Sequence, residues 1–347
     1  MDHYGIRDNA LRWFEDYLCC RKQFVTYNGY NSQELEVSCG VPQGSILGPL
    51  LFLIYINDLP NAAPNLFSIL YADDTDMFRS SKDFVELQKT VNENLSEISD
   101  WLQSNRLSIN VKKTHVMIWT PKSKVLPDID IKMNGHNIDV VQETKFLGVI
   151  LDDKLSWSKH VQYIGNKVSK GIGIIKKLCP LLNKSTLIDL YYAFVYPFLT
   201  YCIHVWGSTH AVHLSKLTVL QKRAIRIIAG VPPRSHTDPL FAQYKLLKFD
   251  HVLKLNIALF MYRYHHGLLP KIFNLLFIRN SQYHSYETRQ AAMISMPYCR
   301  TDRAKRTMRY QGVHVWNRIL SLNIDVSLGI ETFKYHVKKT LIEGNFL

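Results

Sequence analysis

The chain has 347 residues, of which 47% are hydrophobic and 20% are charged. These proportions are ordinary for a folded protein and exclude general disorder, and the length suits two or three domains. A formal net charge of +13 predicts a polyanionic partner. Nucleic acid is the commonest such partner, and an anionic membrane surface is the alternative.

One apolar stretch, residues 187–206, has to be distinguished from a membrane span. It contains Asp189, Pro197 and His204, whereas a spanning helix needs about twenty predominantly apolar residues. We therefore predict a buried helix and no membrane partner. The polar amino terminus and the six scattered cysteines predict an intracellular protein of the nucleus or cytoplasm, without a structural zinc site.

The first 155 residues mix strand-like and helical patterns. Helices are predicted at 9–17, at 46–56 and from Phe84 to Leu102, where apolar residues recur three or four apart. The segments predicted to be extended are 23–27, 33–39, a hairpin within 68–79, 107–119 and two strands within 131–151. Asn28–Gly29 and Asn134–Gly135 are typical of tight turns between strands.

After Trp157 the pattern becomes mainly helical. Apolar periodicity predicts helices near 158–178, 185–206, 213–229 and 249–264. Residues 279–312 are basic, polar and irregular, and a last helical pattern surrounds Trp316 and Phe333. These changes of character divide the chain into three predicted parts, 1–155, 156–275 and 276–347.

The adjacent carboxylates Asp73 and Asp74 lie between short apolar stretches. Like charges repel, so crowding two carboxylates costs free energy unless a cation lies between them. Magnesium prefers carboxylate and phosphate oxygens, and a pair of such ions supports phosphoryl transfer to a hydroxyl. An isolated Asp–Asp pair is more often a solvated turn, so the choice between these interpretations depends on the surrounding sequence.

That surrounding sequence is specific. Val-Pro-Gln-Gly-Ser-Ile-Leu-Gly-Pro at 41–49 precedes Tyr-Ala-Asp-Asp at 71–74 by about thirty residues. Two motifs in this order resemble reverse transcriptases, and specifically the carboxy-terminal part of those of non-LTR (LINE-type, jockey-like) retrotransposons. The resemblance implies an α+β fold, a partial right-hand polymerase palm with an antiparallel sheet and helices on one face. A mostly helical thumb and a tail would follow.

The same resemblance implies a function and roles for individual residues. The intact enzyme would be an RNA-directed DNA polymerase acting on an RNA template, a DNA primer and deoxynucleoside triphosphates with Mg²⁺. Asp73 and Asp74 would be the metal ligands and, with Lys113, the catalytic residues. The residues implied to bind substrate are Gln43, Gly44, Tyr71, Ala72 and Asn110. Those implied to form the primer grip are Phe146, Leu147 and Gly148.

Basic residues recur at short intervals in the second half of the chain. Those that we expect to contact a nucleic-acid backbone are Lys167, Lys170, Lys176, Lys177, Arg303 and Arg306. Such contacts are independent of base sequence and weaken with salt. The alternative for both sets is an ordinary solvated face.

Polymerases of the resembled family need a further aspartate on a strand ahead of the helix at 9–17. Asp2, Asp8 and Asp16 lie within or too close to that helix to take its place. We therefore expect this chain to be inactive by itself. The alternatives are a non-catalytic RNA- or DNA-binding remnant and a product without a cellular role.

Overall fold

The structure, a computed structural model, describes residues 1–120, 127–278, 293–344 and 346. The chain divides into two compact units, Met1–Val141 and Gln142–Leu347. Both strand and helix are present, as predicted, and helix predominates. No helix among the described residues is both long enough and apolar enough to cross a membrane.

The first unit combines helices with short strand pairs. Its helices are α1 (Asp8–Leu18), α2 (Leu47–Ile56), α3 (Leu59–Ala62) and α4 (Phe84–Ser104). Its strands are β1 (Lys22–Gln23), β2 (Thr26–Tyr27), β3 (Tyr30–Asn31), β4 (Leu35–Glu36), β5 (Phe67–Tyr71), β6 (Asp74–Phe78), β7 (His115–Val116), β8 (Lys132–Met133), β9 (His136–Asn137) and β10 (Asp139–Val140). The predicted turns at Asn28–Gly29 and Asn134–Gly135 join β2 to β3 and β8 to β9.

Helix α4 shows how local sequence fixes an element. The Asp83 carboxylate accepts a hydrogen bond from the Val85 N–H at 2.8 Å, which satisfies one of the free donors at the helix start. Ile98 is buried, and Val91 and Leu95 pack against the same small core. The predicted apolar stripe of this helix is therefore confirmed.

The expected antiparallel palm sheet is not formed by the described residues, in which strands pair only in twos. The longest ladder joins β5 to β6 over five residue pairs. On the outer side of β5, Phe67, Ile69 and Tyr71 remain exposed. A wider sheet needs a further strand beside this hairpin, and the described residues supply none there.

The prediction of a strand at 107–119 is wrong for most of that segment. The Asn110 carbonyl accepts hydrogen bonds from the N–H groups of Lys113 and Thr114, at 2.9 and 3.2 Å. These bonds close a 3₁₀ turn over Val111–Lys113, and only β7 remains extended. These local hydrogen bonds use backbone N–H and C=O groups that would otherwise pair with an adjacent strand.

The second unit contains a hairpin and a large helical core. The hairpin consists of β11 (Glu143–Phe146) and β12 (Val149–Asp152). The helices are α5 (Ser158–Leu178), α6 (Lys184–Phe194), α7 (Tyr196–Thr200), α8 (Ile203–Trp206), α9 (Ala211–Ala229), α10 (Asp238–Gln243), α11 (Phe249–His265), α12 (Asp302–Lys305), α13 (Met308–Ser321) and α14 (Ile330–Ile342). Residues 279–292, which were predicted to be irregular, lie outside the described residues.

The helix predicted at 185–206 is divided into α6, α7 and α8. Pro197 lies in the first turn of α7, where its missing N–H does no harm, but it cannot continue an earlier helix. Cys202 takes a φ of +50° immediately before α8. The apolar pattern therefore correctly predicted that this segment packs into the core, but its prediction of one continuous helix was wrong.

The hairpin packs with the helices of the second unit. The Ile150 N–H donates to Nδ1 of His160 at 3.2 Å, and Lys159 lies 3.7 Å from Glu143. The boundary between the units therefore follows Val141, whereas composition changes near 155. The carboxy-terminal helices share the same core, since the rings of Tyr262 and Phe333 lie 4.7 Å apart.

Two glycines of α5 offer a matched test of helix packing. A Cβ on Gly171 would overlap the carbonyl oxygen of Phe194, whereas a Cβ on Gly173 would enter open space. We expect Gly171→Ala to lower the free energy of unfolding by about 1–3 kcal/mol through overpacking. Gly173→Ala should raise it by about 0.5–1 kcal/mol. Urea denaturation measures both, and equal signs for the two variants would contradict the close approach.

Candidate active site

Asp73 and Asp74 lie at the end of the β5–β6 hairpin. The ladder closes with Tyr71 opposite Asp74, so that Ala72 and Asp73 form the turn. Ala72 has a φ of +52°, a left-handed conformation that is uncommon for residues other than glycine. Both carboxylates are exposed. The predicted bend between two strands is thus confirmed.

The ladder register decides which side chains share a face. Tyr71 opposes Asp74 and Ile69 opposes Asp76. Because alternate residues of a strand point to opposite faces, Asp74 and Asp76 lie on one face with Tyr71 and Ile69. Leu70 packs against the buried core on the other face. The hairpin therefore presents its acidic face outward.

Asp76 is a neighbour of the pair that sequence analysis missed. Burial, and then the charge of Asp74, raise the pKa of Asp76 above its ordinary value. The signal was present in the sequence, because the i, i+2 spacing of Asp74 and Asp76 places both on one face of any strand.

The donor set of the turn suits magnesium, which is often bound through one or two carboxylates together with substrate phosphates. Asp73 and Asp74 supply such oxygens at an accessible position. The described residues contain no group of three or more metal-ligating side chains. Asp2 instead pairs with Arg7 at 3.3 Å, and Asp8 and Asp16 belong to α1.

The loop before α2 is fixed by its own hydrogen bonds. The Ser45 hydroxyl accepts from the Gly48 N–H at 2.9 Å, and a Cβ on Gly48 would lie at 2.9 Å from that oxygen and 3.2 Å from the Pro42 carbonyl. Gly44 has a φ of +82°, which favours glycine. Gln43 and Gly44 are exposed. Among the described residues, no hydrogen bond joins either of them to the Asp73–Asp74 turn.

Asn110 and Lys113 lie together in the 3₁₀ turn described above. Both are exposed, and the Lys113 ammonium is in no ion pair formed by the described residues. The structure therefore leaves this charge accessible to an anionic ligand.

The predicted primer grip forms the tip of the β11–β12 hairpin in the second unit. Phe146 pairs with Val149, which leaves Leu147 and Gly148 as a two-residue turn. Their φ values are +42° and +83°, the signs that a type I′ turn requires at both positions.

The predicted nucleic-acid lysines lie on the surface of α5. Lys167, Lys170 and Lys177 follow Tyr163 at helical spacing along one face. The ammonium groups of Lys167 and Lys145 each lie 5.6 Å from the centre of the Tyr163 ring. Two cations at one half-buried aromatic ring concentrate positive charge on this face of the helix.

The remaining predicted cations, Lys176, Arg303 and Arg306, do not lie together on one helix face. Lys176 lies in the last turn of α5, where a positive charge also stabilises the helix itself. Arg303 is exposed on α12, and an Arg306 nitrogen lies 2.8 Å from Nδ1 of His210. Among these predicted cations, Lys167 is the one that the described part of the chain places over an aromatic ring, and the face of α5 with Tyr163, Lys167 and Lys170 is called the Tyr163 surface below.

Comparison with known families identifies the part of the chain that contains the acidic turn. Residues 2–151 match the family described as reverse transcriptase (RNA-dependent DNA polymerase). This part of the chain belongs to the reverse transcriptase family. The match includes the Asp73–Asp74 turn and the loop at 41–49, so the resemblance drawn from those motifs is confirmed.

Similarity to individual reverse transcriptases extends into the second unit. The chain is 29% identical over 274 residues to the RNA-directed DNA polymerase from mobile element jockey of Drosophila melanogaster, covering 74% of this chain and 30% of the relative. It is 32% identical over 244 residues to the protein of that name from Drosophila funebris, covering 67% and 26%. The probable RNA-directed DNA polymerase from transposon X-element of Drosophila melanogaster is 29% identical over 251 residues, covering 69% and 27%. The chain thus spans less than a third of the length of these reverse transcriptases.

Proposed function

We propose that this chain carries part of the active site and part of the nucleic-acid surface of an RNA-directed DNA polymerase from a non-LTR retrotransposon. The observation that carries the proposal is the exposed pair Asp73 and Asp74 at a strand turn, within the segment that matches reverse transcriptases. The partners would be an RNA template, a DNA primer and deoxynucleoside triphosphates. The first unit would act as a palm, and the helical unit as a thumb with its tail.

Asp73 and Asp74 would hold the metal. Bound magnesium would polarise the phosphoryl oxygens and favour ionisation of the primer 3′ hydroxyl. The turn brings the two carboxylates to one end of the hairpin, because Asp74 closes the ladder opposite Tyr71 and Asp73 precedes it in the turn. Tyr71, directly opposite Asp74, would bring an apolar ring beside the reacting groups.

The other residues of the first unit would bind the incoming nucleotide. Gly44 offers a backbone without a side chain, which allows close approach of a base or sugar. The Lys113 ammonium would neutralise triphosphate charge, and Asn110 holds that lysine in its turn through its own carbonyl. Gln43 would contact the template base.

The second unit would contact the nucleic-acid backbone and the primer. The face of α5 with Tyr163, Lys167 and Lys170 offers cations next to a ring on which a base can stack. The hairpin tip at Leu147–Gly148 would contact the primer through backbone groups. Lys176, Lys177, Arg303 and Arg306 would add contacts that are independent of base sequence.

Removal of two lysines tests the backbone-binding surface. We expect the double variant Lys167→Gln, Lys170→Gln to weaken binding of an RNA–DNA hybrid and to reduce the slope of log affinity against log salt by about one to two. The slope reports the counterions that bound lysines release. A salt titration of affinity by fluorescence anisotropy measures it.

The matched control removes the same charge elsewhere. Lys334 and Lys339 lie on α14 beside Glu331 and Glu343, so replacement of both by glutamine lowers the net charge equally. We expect a much smaller change in slope. Equal slopes for the two double variants would mean that net charge alone, and not the Tyr163 surface, governs binding.

A further inference from the structure

The turn at Leu147–Gly148 has a backbone that its sequence does not favour. Type I′ turns usually contain Asn, Asp or Gly at both central positions. Leucine at a φ of +42° places its Cβ unfavourably close to the following carbonyl. Strained backbone of this kind persists only where surrounding contacts hold it, and it is often found at ligand-binding positions.

Tyr201 supplies such a contact from another part of the chain. Its hydroxyl donates a hydrogen bond to the Leu147 carbonyl oxygen at 2.6 Å. Its ring covers the second turn residue, because a Cβ on Gly148 would lie 3.2 Å from the Cε1 atom of Tyr201. Gly148 is therefore required twice, by its positive φ and by this ring. One side chain thus fixes both residues of the turn.

Tyr201 is itself held by the helical core. Its carbonyl accepts a hydrogen bond from Nε1 of Trp206 at 2.9 Å, and Trp206 is completely buried. Its N–H donates to the Pro197 carbonyl at 2.9 Å. The side chain nevertheless remains 51% exposed. Tyr201 therefore links a rigid interior to a surface turn while contributing little to the core.

We propose that Tyr201 is a positioning residue that holds the Leu147–Gly148 turn in the conformation in which its backbone contacts the 3′ end of a primer strand. This inference rests on the proposed function, which assigns the turn to primer binding. The Tyr201 hydroxyl fixes the Leu147 carbonyl, and with it the orientation of the peptide groups that would face the primer. Loss of that hydroxyl would let the strained turn relax.

The test uses the complete chain and two hybrids of equal length and charge. In one hybrid the recessed 3′ end is DNA, and in the other it is RNA. We expect the chain to prefer the recessed DNA end. Tyr201→Phe, which keeps the ring over Gly148, should reduce this preference by about threefold to tenfold, as expected for one lost hydrogen bond. Tyr335→Phe, at another exposed tyrosine, should leave it unchanged.

The outcomes separate this inference from the function on which it rests. If the wild-type chain prefers the DNA end and Tyr201→Phe prefers it equally, Tyr201 does not position the turn, while the primer-binding assignment stands. If the wild-type chain shows no preference, the primer-binding assignment fails and the role of Tyr201 fails with it. Hydrogen exchange gives a second measurement, because the amide of Val149, whose pairing with Phe146 closes the turn, should exchange about threefold to tenfold faster in Tyr201→Phe. Unchanged exchange would overturn the positioning role.

Discussion

Primer extension by this chain, with a defined RNA template, a DNA primer, deoxynucleotides and magnesium, is expected to give no incorporation. Asp73 and Asp74 supply two carboxylates at one turn, and the described residues bring no third ligand into a cluster. Two metal ions held by too few ligands are displaced from their productive positions. Displacement of about 1 Å can reduce a rate by about a hundredfold, and loss of a metal costs more.

A competent reverse transcriptase run in parallel shows that the primer and template can be extended. The decisive comparison is with the variant Asp73→Asn. Incorporation by the unaltered chain that disappears in Asp73→Asn would show that the two carboxylates suffice, and would refute the expected inactivity. Binding of the hybrid without any extension would instead agree with a chain that binds nucleic acid but lacks a complete metal site.

Acidification is expected to destabilise the helical unit through His160. This side chain is fully buried, its Nδ1 accepts from the Ile150 N–H, and its Nε2 has no hydrogen-bond partner among the described residues. Burial lowers the pKa of His160 to about 4. Between pH 6.5 and 4 the unfolded chain therefore binds a proton that the folded chain does not. Stability is lost as the pH falls through this window, by about 3 kcal/mol in total for this group.

The variant His160→Gln isolates this contribution, because glutamine can still accept the Ile150 hydrogen bond but does not titrate in this range. Urea denaturation at pH 7, 6, 5 and 4 should show a shallower loss of stability in His160→Gln than in the unaltered chain. The exposed His236 replaced in the same way serves as the control. Burial also lowers the pKa values of His204 and His251, so part of the acid sensitivity should remain. Identical pH profiles for the unaltered chain and His160→Gln would contradict this account.

Features set by neighbours along the chain were predictable. The bend at Asp73–Asp74 follows from two apolar strands around a polar pair, and helix α4 begins directly after Asp83 because an aspartate there caps one of the free N–H groups. The glycine turn Asn134–Gly135 follows from backbone preference alone. Each of these depends on interactions within a few residues.

Local patterns failed where a competing contact decided the structure. At 107–119 hydrogen bonds to the Asn110 carbonyl form a turn in place of the predicted strand. The single helix predicted at 185–206 is interrupted at Pro197 and Cys202. Apolar residues at those positions indicate that the segment is buried, but buried apolar residues occur in both strands and helices. Periodicity could therefore not choose between a continuous element and a broken one.

The sequence by itself determined the family, the acidic turn and the basic face of α5, because motif order and helical spacing are readable from neighbouring residues. Only the tertiary structure decided that the hairpin at 143–152 packs with the helical unit, and that Tyr201 holds the turn at Leu147 from 54 residues away. A contact between residues 54 positions apart depends on how the helices pack around Trp206. The spacing of residues along the chain does not determine that packing.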